Sequence, residues 1–245
     1  MITLLGLKNI ESVIFDKDGT LTDVHSYWGR IIELRAKALQ EHFNLPYPAQ
    51  VLLEECMGLD LINERLRPEG PIALVSRKIV IEKVMGCLST LYRNALVSEI
   101  ETIFTEVQKE FEKEMYDYVK ILPGVKPFLY KLEAAKIKMG IVTSDSVVST
   151  QKVLSYLGIN KLFSYIVGRE SCAETKETGV PCRKALEVGN LNPLTTITIG
   201  DAPVDLIMAK QNNLLGSIGV ATGQLPKETL RQHSTYVVDS LGELL

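Results

Sequence analysis

The sequence predicts an α/β protein: a doubly wound, mostly parallel sheet interrupted by an inserted all-helical segment. Three observations carry that expectation. Short β-branched runs alternate with amphipathic stretches from residue 121 onward. One further apolar run, 12-SVIF-15, stands alone near the start, and the stretch between the two regions shows helical periodicity only. Alternating strands and helices imply right-handed crossovers between parallel strands. The expected division is therefore an α/β core of residues 1–23 and 121–245, with residues 24–120 inserted after the first strand.

In order along the chain, Ser12 to Phe15 is the first predicted strand, rich in β-branched and aromatic residues and followed closely by glycine. Helices are expected in 26-SYWGRIIELRAKALQEHF-43, in the run 72–88 after a loop punctuated by Pro68, Gly70 and Pro71, and in 93–119. In the last of these, Ile100, Ile103, Phe104, Val107 and Phe111 recur at steps of three and four, one face of a helix. Beyond Pro123-Gly124 the expected order is helix 125–135, strand 137–144, helix 147–158, strand 164–168, helix 181–190, strand 195–201, helix 203–213, strand 214–220, helix 226–232 and strand 235–239. The run 216-GSIGVATG-223 has no phosphate-loop spacing and reads as strand and loop.

Composition excludes several classes. With 46% apolar and 23% charged residues the chain is ordinary globular protein. A net charge of −3, from 27 basic and 30 acidic residues, comes without any long single-sign run, so neither nucleic acid nor a membrane surface is an expected partner. The start MITLLGLKNIESV lacks the pattern of a secretory signal and no membrane span is visible, which predicts a cytoplasmic protein. Its four cysteines show no paired spacing and are expected to be reduced. A monomer or homodimer is expected.

Ligands of open α/β sheets bind beyond the carboxyl ends of the strands. That rim collects Asp16-Lys17-Asp18-Gly19-Thr20, Thr143-Ser144, Lys176 and Gly200-Asp201-Ala202-Pro203-Val204-Asp205. Carboxylates packed this closely repel unless a cation neutralises them, and oxygen-only donors point to Mg²⁺. Lysine and hydroxyl groups suit the oxygens of a phosphoryl group. Two aspartates two positions apart can divide covalent catalysis, one attacking phosphorus and the other moving a proton, and Gly19 lets the chain bend between them.

Hydrophobic-Asp-x-Asp-Gly-Thr, hydrophobic-Thr, Lys and Gly-Asp-x-x-x-Asp, in that order, resemble the four motifs of the haloacid dehalogenase superfamily of phosphohydrolases. The helical insertion resembles the cap of its phosphoglycolate-phosphatase-like members. The resemblance implies a Rossmann-like core and a phosphatase acting on a small phosphorylated substrate with Mg²⁺. It implies Asp16 as nucleophile and metal ligand, and Asp18 as general acid/base that lends its backbone carbonyl to the metal. Thr143 becomes a phosphate donor, Lys176 the cation bridging nucleophile and phosphate, Asp201 a metal ligand, and Asp205 support behind them. Ser144, next to Thr143 on the rim, is a further expected supporting residue outside what the resemblance implies. Where many relatives read Lys-Pro-x-Pro, this chain reads 176-KETGVP-181, so Lys184 is an alternative to Lys176. Asp145 either supports the metal or caps the following helix. Gly19, Thr20, His25, Arg77 and Lys78 are candidate substrate contacts, and Trp28 and Arg30 further positions for selectivity. A phosphomutase would use the same two aspartates, and a non-catalytic binding module could share the fold.

Overall fold

A computed structural model describes residues 1–75, 77–91 and 94–245. Ser76, which falls in the predicted 72–88 run, and Arg93, where the sequence predicted a helix to begin, lie outside the described residues, as does Tyr92. The chain divides into two compact units, Met1–Asp23 with Lys120–Leu245, and Val24–Val119.

The chain opens with an antiparallel hairpin, β1 (Ile2–Leu4) and β2 (Leu7–Ile10), that sequence reading had not anticipated. Its turn is Leu5-Gly6, both at positive φ, and a leucine in that conformation gives no turn signal of the Asn-Gly kind. Next comes β3 (Ser12–Phe15), buried along its whole length.

In the inserted unit, α1 (Val24–His42) and α2 (Tyr47–Met57) are followed by a ladder of two-residue strands, β4 (Leu59–Asp60) and β5 (Arg65–Leu66), a small addition to an otherwise helical segment. Then come α3 (Arg77–Thr90) and α4 (Val97–Glu114). Helix α3 starts five residues later than the periodicity suggested, because Ile72–Val75 are drawn into a turn on Pro71, whose carbonyl accepts from Leu74 and Val75. Ile100, Ile103, Phe104, Val107 and Phe111 form the buried face of α4, as their spacing requires. With Ile32, Leu39, Leu53, Met57, Val84 and Leu88 most of them build this unit's own core. Each such fully buried side chain contributes roughly 1.5–3 kcal/mol.

The remainder supplies α5 (Val125–Ala134), β6 (Lys138–Val142), α6 (Val147–Tyr156), β7 (Tyr165–Val167), α7 (Val180–Gly189), β8 (Thr196–Gly200), α8 (Pro203–Gln211), β9 (Gly216–Val220), α9 (Lys227–Arg231) and β10 (Tyr236–Val238). Six strands form one parallel sheet in the order β10-β9-β8-β3-β6-β7. Strand β3 lies between β8 and β6, with Phe15 level with both Ile199 and Ile141. The residues following these three strands therefore emerge side by side at one edge. Where the chain leaves for the insertion and where it returns, it is stitched to itself: Asp23 N–H donates to Lys120 O (2.9 Å) and Leu122 N–H to Leu21 O (3.0 Å).

Candidate active site

Asp16 follows β3, and its N–H continues the ladder to Ile199 O at 2.9 Å. Asp201 follows β8, and Asp205 sits in the first turn of α8, where its carboxylate accepts from Ala202 N–H at 3.2 Å. The sheet register and that helix start bring one oxygen from each of Asp16, Asp201 and Asp205 within 4.8 Å of one another. Lys176, in a short helical turn before α7, reaches between two of them, 2.5 Å from Asp16 Oδ1 and 2.8 Å from Asp205 Oδ1. All four side chains are buried.

Three carboxylates against one ammonium leave two negative charges uncompensated, the charge of one divalent cation. The donors are oxygens only, the set a hard dication prefers. The electrostatics report the same imbalance. Burial pushes the Asp201 carboxyl well above the ordinary range, with Asp16 and Asp205 adding to it. Burial also raises Asp16, against the pull of Lys176. Burial opposes the charge on Lys176, yet Asp16 and Asp205 outweigh it and hold the amine above the usual lysine range.

Asp18 is placed differently. Its carboxylate is not among the three that converge, and its Oδ1 accepts from Lys17 Nζ (2.5 Å) and Thr22 Oγ1 (3.1 Å). Thr143, following β6, is buried and its Oγ1 accepts from Asp145 N–H at 3.1 Å. Asp145 in turn accepts from Ser146 N–H and Ser149 Oγ at the start of α6, so it works at the helix end, while Ser146 is the N-cap itself. Ser144 is exposed. Lys184, the alternative to Lys176, is a half-exposed side chain paired with Glu187 on its own helix.

The residues expected to touch substrate are placed as follows. Thr20 is fully buried and donates to Asp201 Oδ1 (3.1 Å), so its hydroxyl orients a carboxylate. Gly19, at φ +86°, has its carbonyl held by Thr222 Oγ1 and its N–H by Thr22 O. A Cβ there would strike the Asp201 carboxylate, which explains glycine at this position. In the insertion, both ring nitrogens of His25 are engaged, by Arg65 and by Leu66 N–H. Arg77 donates to Glu101 O and Thr105 Oγ1 and stacks over Phe104. Lys78 is exposed on the first turn of α3. Arg30 pairs with Glu33 and Glu114, and Trp28 packs against the insertion's core.

Sequence reading missed three contributors. Gly223 lies against Asp201 so closely that a Cβ would fall onto the carboxylate, and a Cβ on Gly200 would strike the Asp205 side chain. Gly223 was read only as part of a strand and loop, since closeness to a residue elsewhere in the chain leaves no local mark, and Gly200 was read as the glycine of the fourth motif without a packing role. The third is Lys17, seen in the first motif without a role.

A family model described as haloacid dehalogenase-like hydrolase matches residues 10–213. The chain belongs to that family. A haloacid dehalogenase-like hydrolase is an enzyme, and the chain's relatives agree with its fold. It is 26% identical over 244 residues to the phosphoglycolate phosphatase of Neisseria meningitidis, covering 98% of this chain and 94% of the relative. Its structure resembles that of a predicted phosphoglycolate phosphatase from Haemophilus somnus, with TM-score 0.74 at 18% identity, covering 97% of each chain. It also resembles a β-phosphoglucomutase from Clostridium difficile, with TM-score 0.64 at 23% identity, covering 96% of this chain and 93% of the other. Among the described residues no helix is long and apolar enough to cross a membrane.

Proposed function

We propose that this hydrolase is a Mg²⁺-dependent phosphatase that releases phosphate from a small phosphorylated metabolite through an aspartyl-phosphate on Asp16. The observation that carries the reading is the meeting of Asp16, Asp201 and Asp205 around Lys176 at one sheet edge. Asp16 attacks phosphorus, and the departing ester oxygen takes a proton from Asp18. Water then attacks the aspartyl-phosphate, gives its proton to Asp18, and regenerates the Asp16 carboxylate. Lys176 balances charge on Asp16 and the phosphoryl oxygens, Thr143 donates to those oxygens, and Asp205 keeps Lys176 in place. Asp16, Asp201 and the Asp18 backbone carbonyl would hold Mg²⁺. When bound, the ion supplies positive charge to the carboxylates and phosphoryl oxygens. The near full-length relationship to a phosphoglycolate phosphatase makes 2-phosphoglycolate the first substrate to test.

The test is phosphate release from a panel of phosphorylated acids, sugars, polyols and nucleotides, with MgCl₂ and with EDTA. Release in Mg²⁺ that EDTA abolishes is expected. Isomerisation of a sugar phosphate without release would assign the chain to phosphomutases instead.

The buried carboxyls also set a pH dependence for metal binding. Asp16, Asp18 and Asp201 all have folded-state values raised by burial, so the metal-free fold holds protons that the unfolded chain has released. Their contribution to metal-free stability therefore falls as pH rises above the ordinary carboxylate range. Lys176, raised rather than lowered, stays charged throughout and adds no slope below its unfolded value. A dication displaces the protons of Asp16 and Asp201, whose carboxylates would hold it, and leaves that of Asp18 in place. At a hundredfold excess over Kd it is expected to add about 2.7 kcal/mol, several degrees of melting temperature for a chain of this size. That gain should be greatest near pH 8 and shrink towards pH 5. A gain in thermal melts that is the same at both pH values would contradict the placement of the ion among these carboxylates.

A further inference from the structure

Lys17 stands between the proposed nucleophile and the proposed acid, and its side chain is 1% exposed. Lysine stems usually run to the surface and leave the amine in water. This one is buried to its tip. Its Nζ lies 2.5 Å from Asp18 Oδ1 and 3.4 Å from Asp145 Oδ2. Asp145 is itself fixed, its Oδ1 accepting from Ser146 N–H (2.7 Å) and its Oδ2 from Ser149 Oγ (2.8 Å). Thr22 Oγ1 donates to the same Asp18 oxygen that Lys17 holds, at 3.1 Å. Two donors thus converge on Asp18 Oδ1.

From this we infer that Lys17 is a positioning residue: it ties Asp18 Oδ1 to the loop after β6 and so leaves Oδ2 as the oxygen that exchanges a proton with the ester and then with water. The inference rests on the reading of Asp18 as acid and base. A carboxyl on a two-torsion side chain, partly open to solvent, samples several rotamers unless it is anchored, and a proton donor contributes its full effect only when it sits on the line to the leaving oxygen. In the first step the Asp16 oxygen–phosphorus bond forms, the phosphorus–ester oxygen bond breaks, and the Asp18 proton goes to the departing oxygen with the bonding pair. In the second, water oxygen bonds to phosphorus, the Asp16–phosphorus bond breaks, and the water proton returns to Asp18. Lys17 takes part in neither bond change.

The anchor can be read apart from the fold by varying the leaving group. An alkoxide needs the proton, whereas p-nitrophenolate departs without it. The value of kcat/KM reports only steps up to formation of the aspartyl-phosphate. Lys17→Met is expected to lower kcat/KM for 2-phosphoglycolate, or for the alkyl phosphate found best in the panel, by about 100-fold, and for p-nitrophenyl phosphate by less than about tenfold. Lys17→Arg, which keeps the charge, should recover most of the alkyl-phosphate loss. Equal losses on both substrates, or no loss, would overturn the inference. Should Lys17→Met fail to fold by circular dichroism, Asp145→Asn loosens the other end of the anchor. It should then show a loss of about 3–10-fold confined to the alkyl phosphate, and a loss shared by both substrates would count against the inference. Asp18→Asn is the control for the underlying reading. If it slows both substrates alike, Asp18 is not the acid, whatever Lys17 does.

Discussion

Asp16→Asn is expected to remove phosphatase turnover, with kcat falling by about five to six orders of magnitude, the scale on which loss of a covalent nucleophile acts. The amide nitrogen cannot take phosphorus, and the remaining amide oxygen lacks the charge to attack it. The variant should nonetheless fold. Burial holds the native Asp16 carboxyl above its ordinary range, so the interior resists its charge, and asparagine has nearly the same shape without that charge. Lys176 keeps a partner in Asp205, 2.8 Å away. Phosphate release, trapping of the phosphoenzyme by acid quench with mass spectrometry, and a thermal melt check this together. More than about 1% residual turnover in a folded variant would remove Asp16 from its role.

Lys176→Met should be the most damaging change to stability. The amine is the one cation within hydrogen-bond reach of Asp16 and Asp205 among the described residues, and removing one partner of a buried ion pair costs about 3–5 kcal/mol. In a chain of this length that is roughly a 10 °C fall in melting temperature, measured without metal, accompanied by loss of turnover. Lys184→Met, at a half-exposed side chain three residues from Glu187, should stay within about 0.5 kcal/mol of wild type and remain active. A reversal of these two results would move the third motif's lysine to position 184.

Most of the fold was legible because its strands are short, β-branched and separated by amphipathic helices: every strand and helix expected beyond Pro123 is present, with ends shifted by a residue or two. The N-terminal hairpin was not legible, since Leu5-Gly6 resembles no standard turn pair. The β4–β5 ladder, only two residues long on each side, is too short for any period to register. At the site, the four aspartates could be named because acids at strand ends stand out against an apolar background. Their division was less visible. Asp205 joins Asp16 and Asp201 in the converging set, while the Asp18 carboxylate turns to Lys17 and Thr22. Rotamer choices of this kind depend on neighbours distant in sequence. The same holds for Thr20, whose hydroxyl serves Asp201, and for Gly223, whose lack of a side chain makes room for that carboxylate.

The paired backbone bonds at residues 21–23 and 120–122 act as a seam. Once it is closed, the length of the excursion between its two threads alters the free energy of the sheet only logarithmically. The α/β unit can therefore accept excursions of different size and composition across evolution while its strand order and its carboxylates stay in register. The inserted stretch and the stretches that carry the carboxylates are free to diverge separately within one gene.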